Sequence, residues 1–122
     1  MSAEWAPPDG LVAVVKRECP TCELVAPVLR QLADGGAALA VYSQDDPTFP
    51  GDVETHDDRD LEVSYRLRVE TVPTLARVVG GRVVDRTEGW ERAAWERVAT
   101  RAGLGVSLPP FRPGCGFRRR SA

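Results

Sequence analysis

The apolar positions of this chain fall into alternating runs and periods. "LVAVV" (11–15) is a continuous β-branched-rich run between Asp9-Gly10 and the charges that begin at Lys16, which predicts a strand buried on both faces. From Cys22 onward Leu24, Val25, Val28, Leu29 and Leu32 recur at helical spacing until Asp34-Gly35-Gly36, so a helix opens at a cysteine pair and stops at the glycines. "AALAVYS" (37–43) predicts a second interior strand. Between Gln44 and Arg59 the pattern lapses into Asp45, Asp46, Asp52, Glu54, Asp57 and Asp58 among prolines and a glycine, as in a solvated, irregular loop. Asp60 is then expected to cap a short helix with Leu61, Tyr65 and Leu67 facing inward. "TLARVV" (74–79), "GG" and "RVVDRT" (82–87) predict a hairpin. After Gly89, "WERAAWERVATRAGL" puts Trp95, Val98 and Ala102 on one helical face, beside Ala94 and Ala99, up to Gly103.

Strand, helix, strand, helix, hairpin, helix is an α/β order, and it predicts a mixed central β-sheet flanked by α-helices on both faces. With 122 residues, 43% of them hydrophobic, the chain has room for one core and not two. The expected domain is 11–104, after an N-terminal extension at 1–10. A tail rich in Pro, Gly and Arg follows at 105–122; it has no periodicity and is expected to be loose.

A net charge of −2, with both signs spread along the chain, gives no basic footprint for nucleic acid and no polybasic membrane segment. "MSAEWAPPDG" lacks the basic and apolar regions of a signal peptide, and no run approaches transmembrane length; the expectation is a cytoplasmic protein. Three cysteines are too few for a disulfide framework in that compartment, so a Cys-x-x-Cys points to redox chemistry or metal.

Several features occur in a fixed order: "CPTC" after a strand, Pro27 within "APVL" in the following helix, "TVPT" (71–74) before the hairpin, "GG" at its turn, and Gly89 before the last helix. On these the chain resembles the thioredoxin superfamily from about Leu11 to Leu104. The resemblance implies a thioredoxin fold and an enzyme, a thiol-disulfide oxidoreductase that reduces protein disulfides through a redox-active Cys19–Cys22 pair. It implies no bound cofactor, a protein disulfide as substrate and a reductase as electron donor. It also implies a cis Pro73 lying against the active-site disulfide, X-Pro being the one linkage where a cis bond costs little.

The residues of the site support this chemistry without the family. Cys19 would stand at the helix N-cap, where unpaired N–H groups and the macrodipole favour a thiolate, which makes it the attacking thiol. Pro20 suits the first helical position, and Thr21 completes the turn that brings Cys22 within bridging reach. Cys22, less exposed, would resolve the mixed disulfide on Cys19. Thr71, Val72 and a cis Pro73 would leave the Val72 backbone free to pair with an extended substrate strand.

The chain departs from the thioredoxin pattern at its tuning residues. Glu18 stands where thioredoxins have tryptophan before the first cysteine, and Ala13 replaces their buried aspartate. Val25 stands where related membrane-anchored reductases carry a glutamate. No matched acid is left to accept the proton of Cys22, which leaves Glu23, another group or water. "PT" between the cysteines does not set the direction of exchange; a cytoplasmic location favours reduction.

Other readings stand beside this one. Cys19 and Cys22 as buried structural thiols, or as half of a zinc site, are the bland alternatives; for zinc, His56 and Cys115 have no recognised spacing. His56 is expected to be solvated, and Trp90 and Trp95 to be packing residues on the last helix. A glutaredoxin-like, glutathione-dependent reductase is the nearer rival, although there "GG" opens a helix whereas "GGRVVDRT" reads as strand. A redox-sensing module docking a dedicated partner is the third. Cys115 is either a spare thiol in a flexible tail or a third redox cysteine on a tail that swings back, with Arg118 to Arg120 available to dock an acidic surface.

Overall fold

The computed structural model describes residues 5–116; Arg118, Arg119 and Arg120, and with them the docking role considered for them, lie outside the described residues. The strands are β1 (Gly10–Val15), β2 (Leu39–Ser43), β3 (Thr55–Asp57), β4 (Thr71–Val72), β5 (Thr74–Val79), β6 (Arg82–Glu88), β7 (Trp90–Glu91), β8 (Phe111–Arg112) and β9 (Cys115–Gly116). The helices are α1 (Pro20–Asp34), α2 (Glu62–Arg66) and α3 (Arg92–Ala99). Five strands form a mixed sheet in the order β3-β2-β1-β5-β6. β1 runs parallel to β2 and antiparallel to β5, with Ala13 opposite both Val41 and Leu75.

The central position of β1 explains its composition. Leu11 to Val15 are all at most 3% exposed, as a strand covered on both faces requires. α1 crosses from β1 to β2 and buries Val25, Val28, Leu29 and Leu32 along one stripe, the spacing read from the sequence. Its end at Gly35 and Gly36 closes with N–H bonds back to Gln31 and Ala33. β5 and β6 pair across Gly80 and Gly81, both at positive φ (60° and 77°), the left-handed pair of residues that a two-residue hairpin turn needs.

α3 is shorter than its pattern predicts. Thr100 at φ 50° ends it, and Ala102, expected on its buried face, is exposed. The Arg77 guanidinium on β5 donates to the carbonyls of Val98 and Ala99 at 2.8 and 2.9 Å, filling acceptors that the last turn leaves unpaired. Trp90 is not on the helix: it lies on β7, fully buried, with its ring edge-on to Trp95 at 5.3 Å.

The acidic segment departs most from expectation within the domain. It contains β3, which extends the sheet beside β2, and His56 on that strand stacks on Tyr42 at 5.0 Å and bonds Glu54. Asp58 is fully buried. Its carboxylate accepts from the N–H groups of Val63 and Ser64 and from the Ser64 hydroxyl. Asp58 therefore does most of the capping expected of Asp60, which takes only the Glu62 N–H. Tyr65 on α2 is 52% exposed, not inward, while Leu61 and Leu67 are buried.

Residues 105–116 of the tail are ordered rather than loose. β8 pairs with β7 and β9 with β4, both antiparallel. The Trp90 indole N–H donates to the Pro109 carbonyl at 2.7 Å, and the Arg92 guanidinium reaches the carbonyls of Gly105 and Leu108. Such bonds fix a segment without any apolar periodicity, which is why its composition reads as loop. Among the described residues no helix is long and apolar enough to cross a membrane.

Candidate active site

Cys19 is the N-cap of α1: its backbone is extended (φ −153°, ψ 112°), and its Sγ receives the N–H of Cys22 at 3.3 Å. Pro20 occupies the first turn, where an absent N–H costs nothing. The turn leading into Cys19 is held from β2's end. The Asp45 carboxylate takes the N–H groups of Arg17 and Glu18, at 2.7 and 3.0 Å. This anchoring role was not readable among the acids of the segment. The Arg17 side chain itself pairs with Asp46 at 2.8 Å.

The described disulfide joins Cys19 to Cys115, with 5.9 Å between their Cα atoms, a normal span for a bridge. The structure thus pairs Cys19 with Cys115 and not with the expected Cys22, which is a free, fully buried thiol. Burial pushes its pKa up from 9.0 to about 12, against the smaller opposing effect of the Lys16 N–H at 3.4 Å and the Lys16 charge. Asp45 and Glu23 add to the rise. Cys19, expected to be open to attack, is 1% exposed, with the tail bonded to it.

The Val72–Pro73 peptide is cis, and the Val72 carbonyl oxygen lies 3.8 Å from Cys19 Sγ. Thr71 and Val72 do offer a strand edge, but it is occupied. Val72 faces Cys115 and Thr71 faces Gly116 in the β4–β9 register. Thr21 lies between the two cysteines in sequence, and its hydroxyl donates to the Pro113 carbonyl at 2.7 Å. The Lys16 ammonium donates to the Gly116 carbonyl at 2.8 Å. The structure thus brings Cys19, Cys22, Thr21, Thr71, Val72, Pro73 and Cys115 to one place.

Three contributors were not visible in sequence: Lys16 as a clamp on the tail, Asp45 as anchor, and Gly114. A Cβ on Gly114 would stand 2.6 Å from the Val72 oxygen, so the tail approaches β4 as closely as only glycine permits. Among the described residues no cluster of three or more His, Cys, Asp or Glu side chains is placed to hold a metal ion, and His56 lies on the far strand of the sheet.

What this arrangement can do chemically is exchange sulfur–sulfur bonds. It has a sulfur at a helix N-terminus, a second thiol one turn along, and a strand edge that holds a cysteine-bearing segment against the first. No protein-family model matches the chain, and no curated protein matches it.

Proposed function

We propose that the protein is a thioredoxin-like thiol-disulfide oxidoreductase, with helices on both faces of the mixed sheet, that reduces protein disulfides through Cys19 and Cys22. The observation that carries this reading is the position of Cys19. It is the N-cap sulfur of α1, beside the carbonyl that precedes cis Pro73, and it is bonded to a cysteine held in strand register on that same edge.

In the reduced protein the Cys19 thiolate attacks a substrate disulfide seated along Thr71 and Val72. One substrate sulfur leaves as a thiolate, and a mixed disulfide forms on Cys19. Cys22 then attacks Cys19 Sγ and releases the second substrate thiol. The chain is left with a Cys19–Cys22 disulfide, and two electrons have passed to substrate. A dithiol donor, the reductase partner, restores the pair, and the chemistry needs no bound cofactor. A thiol-rich compartment such as the cytoplasm drives the cycle toward reduction.

β6 runs on as a strand after Gly81, where a glutaredoxin-like enzyme would begin a helix, and this favours the thioredoxin-like reading over the glutathione-dependent one. The sensing alternative keeps one specific support: the substrate edge is filled by the chain's own tail.

The test is reduction of insulin by the dithiol form, together with Cys22→Ser, which stalls the reaction at a mixed disulfide on Cys19. Turnover by the wild type and a trapped adduct in the variant are expected. Absence of both removes the reductase reading, and oxidation-dependent partner binding in their place supports the sensor.

A further inference from the structure

Each feature of the tail's seat acts on the backbone around Cys115. The Thr21 hydroxyl and the Lys16 ammonium bond carbonyls on either side of it, at Pro113 and Gly116. Val72 and Thr71 pair with Cys115 and Gly116. Gly114 allows the close approach, and Gly89 faces it: a Cβ there would stand 2.9 Å from the Gly114 nitrogen. Gly116, by contrast, meets no atom of the described residues where a side chain would be. Among the described residues the seat is therefore tight before the cysteine and open after it. A pair of two-residue strands holds little on its own; here it is reinforced on both sides at the one residue that carries sulfur.

Cys22 is placed to act on this bridge. It is the free thiol of the three, it is fully buried, and its backbone N–H already contacts Cys19 Sγ at 3.3 Å. A bulky external disulfide has no access to it, whereas Cys19 lies within the same helical turn.

We propose that Cys115 is a third redox thiol and that Gly114–Gly116 is an internal substrate strand, released when Cys22 attacks Cys19 Sγ. This rests on the exchange reading of Cys19 and Cys22. In the step, the Cys22–Cys19 bond forms and the Cys19–Cys115 bond breaks. Cys115 leaves as a thiolate and takes up the proton that Cys22 gives up. One disulfide and one thiol are present on each side, so no outside oxidant or reductant is required. The products are the Cys19–Cys22 disulfide and a free Cys115, and β4 becomes open to an external strand. The seat also defines what that strand must be: an extended segment with glycine immediately before its cysteine.

The oxidised, intact protein is pulsed with N-ethylmaleimide and the modified cysteines are mapped by mass spectrometry. Cys115 should be modified in the wild type, and at least about tenfold more slowly in Cys22→Ser, where no thiol remains to open the bridge. Equal rates in the two proteins, or modification of Cys22 alone in the wild type, would overturn the proposal. Gly114→Ala guards against a misfolded serine variant: by loosening the seat it should speed Cys115 modification several-fold, and an unchanged or slower rate counts against an internal substrate strand. Insulin reduction separates the two readings. Cys22-dependent release of Cys115 without insulin turnover supports internal exchange and sinks only the reductase, whereas turnover without such release sinks internal exchange alone.

Discussion

Val72 and Cys115 are register partners across the β4–β9 pair, and the sulfur of Cys115 is bonded to Cys19, whose Sγ lies 3.8 Å from the Val72 carbonyl. An external disulfide must therefore displace a strand that is already present. A binding-competent state that is only partly populated raises the apparent dissociation constant by the inverse of its population. Cys115→Ser removes the covalent tie and should lower the KM for insulin several-fold while leaving kcat within about twofold. Steady-state kinetics on the two proteins, both started oxidised and driven by a dithiol donor, check this; an unchanged KM would mean that the tail does not compete.

The raised pKa of Cys22 predicts how the chemistry responds to pH. Burial holds the thiol protonated up to about 12, so its thiolate fraction, and with it the rate at which Cys22 attacks Cys19, should rise about tenfold per pH unit from neutrality. Stopped-flow trapping of free Cys115 between pH 7 and 10 measures the slope. A flat profile would show that a nearby group takes the proton before attack.

The same shift has a stability counterpart of defined sign. An unfolded Cys22 ionises near its ordinary value of 9.0, and the folded one near 12. The folded state thus holds the proton more tightly, its advantage is complete below about pH 9, and it is lost as pH rises from there toward 12. Urea midpoints of the wild type should fall relative to Cys22→Ala over that window and not below it.

Asp58 is the most demanding polar residue of the fold. Removing its carboxylate by Asp58→Ala strands the N–H groups of Val63 and Ser64 and the Ser64 hydroxyl, which should cost about 3 kcal/mol. The Gln44 amide donates to that same hydroxyl, so Gln44→Ala combined with Asp58→Ala should cost less than the sum of the two. A double-mutant cycle in urea measures the difference, and strict additivity would show that the four groups do not act as one network.

Trp90 ties the tail to the core twice, through burial and through its indole N–H on Pro109. Trp90→Phe keeps most of the apolar area and loses the bond, for about 1 kcal/mol, while Trp90→Ala adds a cavity and should cost about 3–5 kcal/mol. Hydrogen exchange of the Arg112 and Gly116 amides should quicken in both variants.

The domain was legible where apolar side chains recur: β1, α1 and β2 follow from burial periodicity, and the β5–β6 hairpin from the Gly80-Gly81 turn between its two runs. The N-cap place of Cys19 also followed, from the strand before it and the helical stripe after it. What sequence did not show depends on polar groups that meet across long separations. Asp58 is one acid among several, and nothing local marks it as the buried one; Asp45 reaches back to Arg17 and Glu18. The tail is held by Thr21, Lys16, Trp90 and Arg92 acting on carbonyls, which carry no sequence identity. The pairing of Cys115 with Cys19 is likewise a matter of where the tail returns, not of spacing.

The Cys19–Cys115 bridge joins residues 96 apart, so the oxidised chain between them is a closed ring. A single proteolytic cut anywhere between those cysteines leaves two fragments still bound as one molecule. Closing so large a loop restricts the unfolded chain by about 3 kcal/mol more than the short loop of a Cys19–Cys22 disulfide. Moving one sulfur bond by a helical turn therefore also converts a circularised protein into a linear one, and a denaturation midpoint that depends on which bond is present would report it.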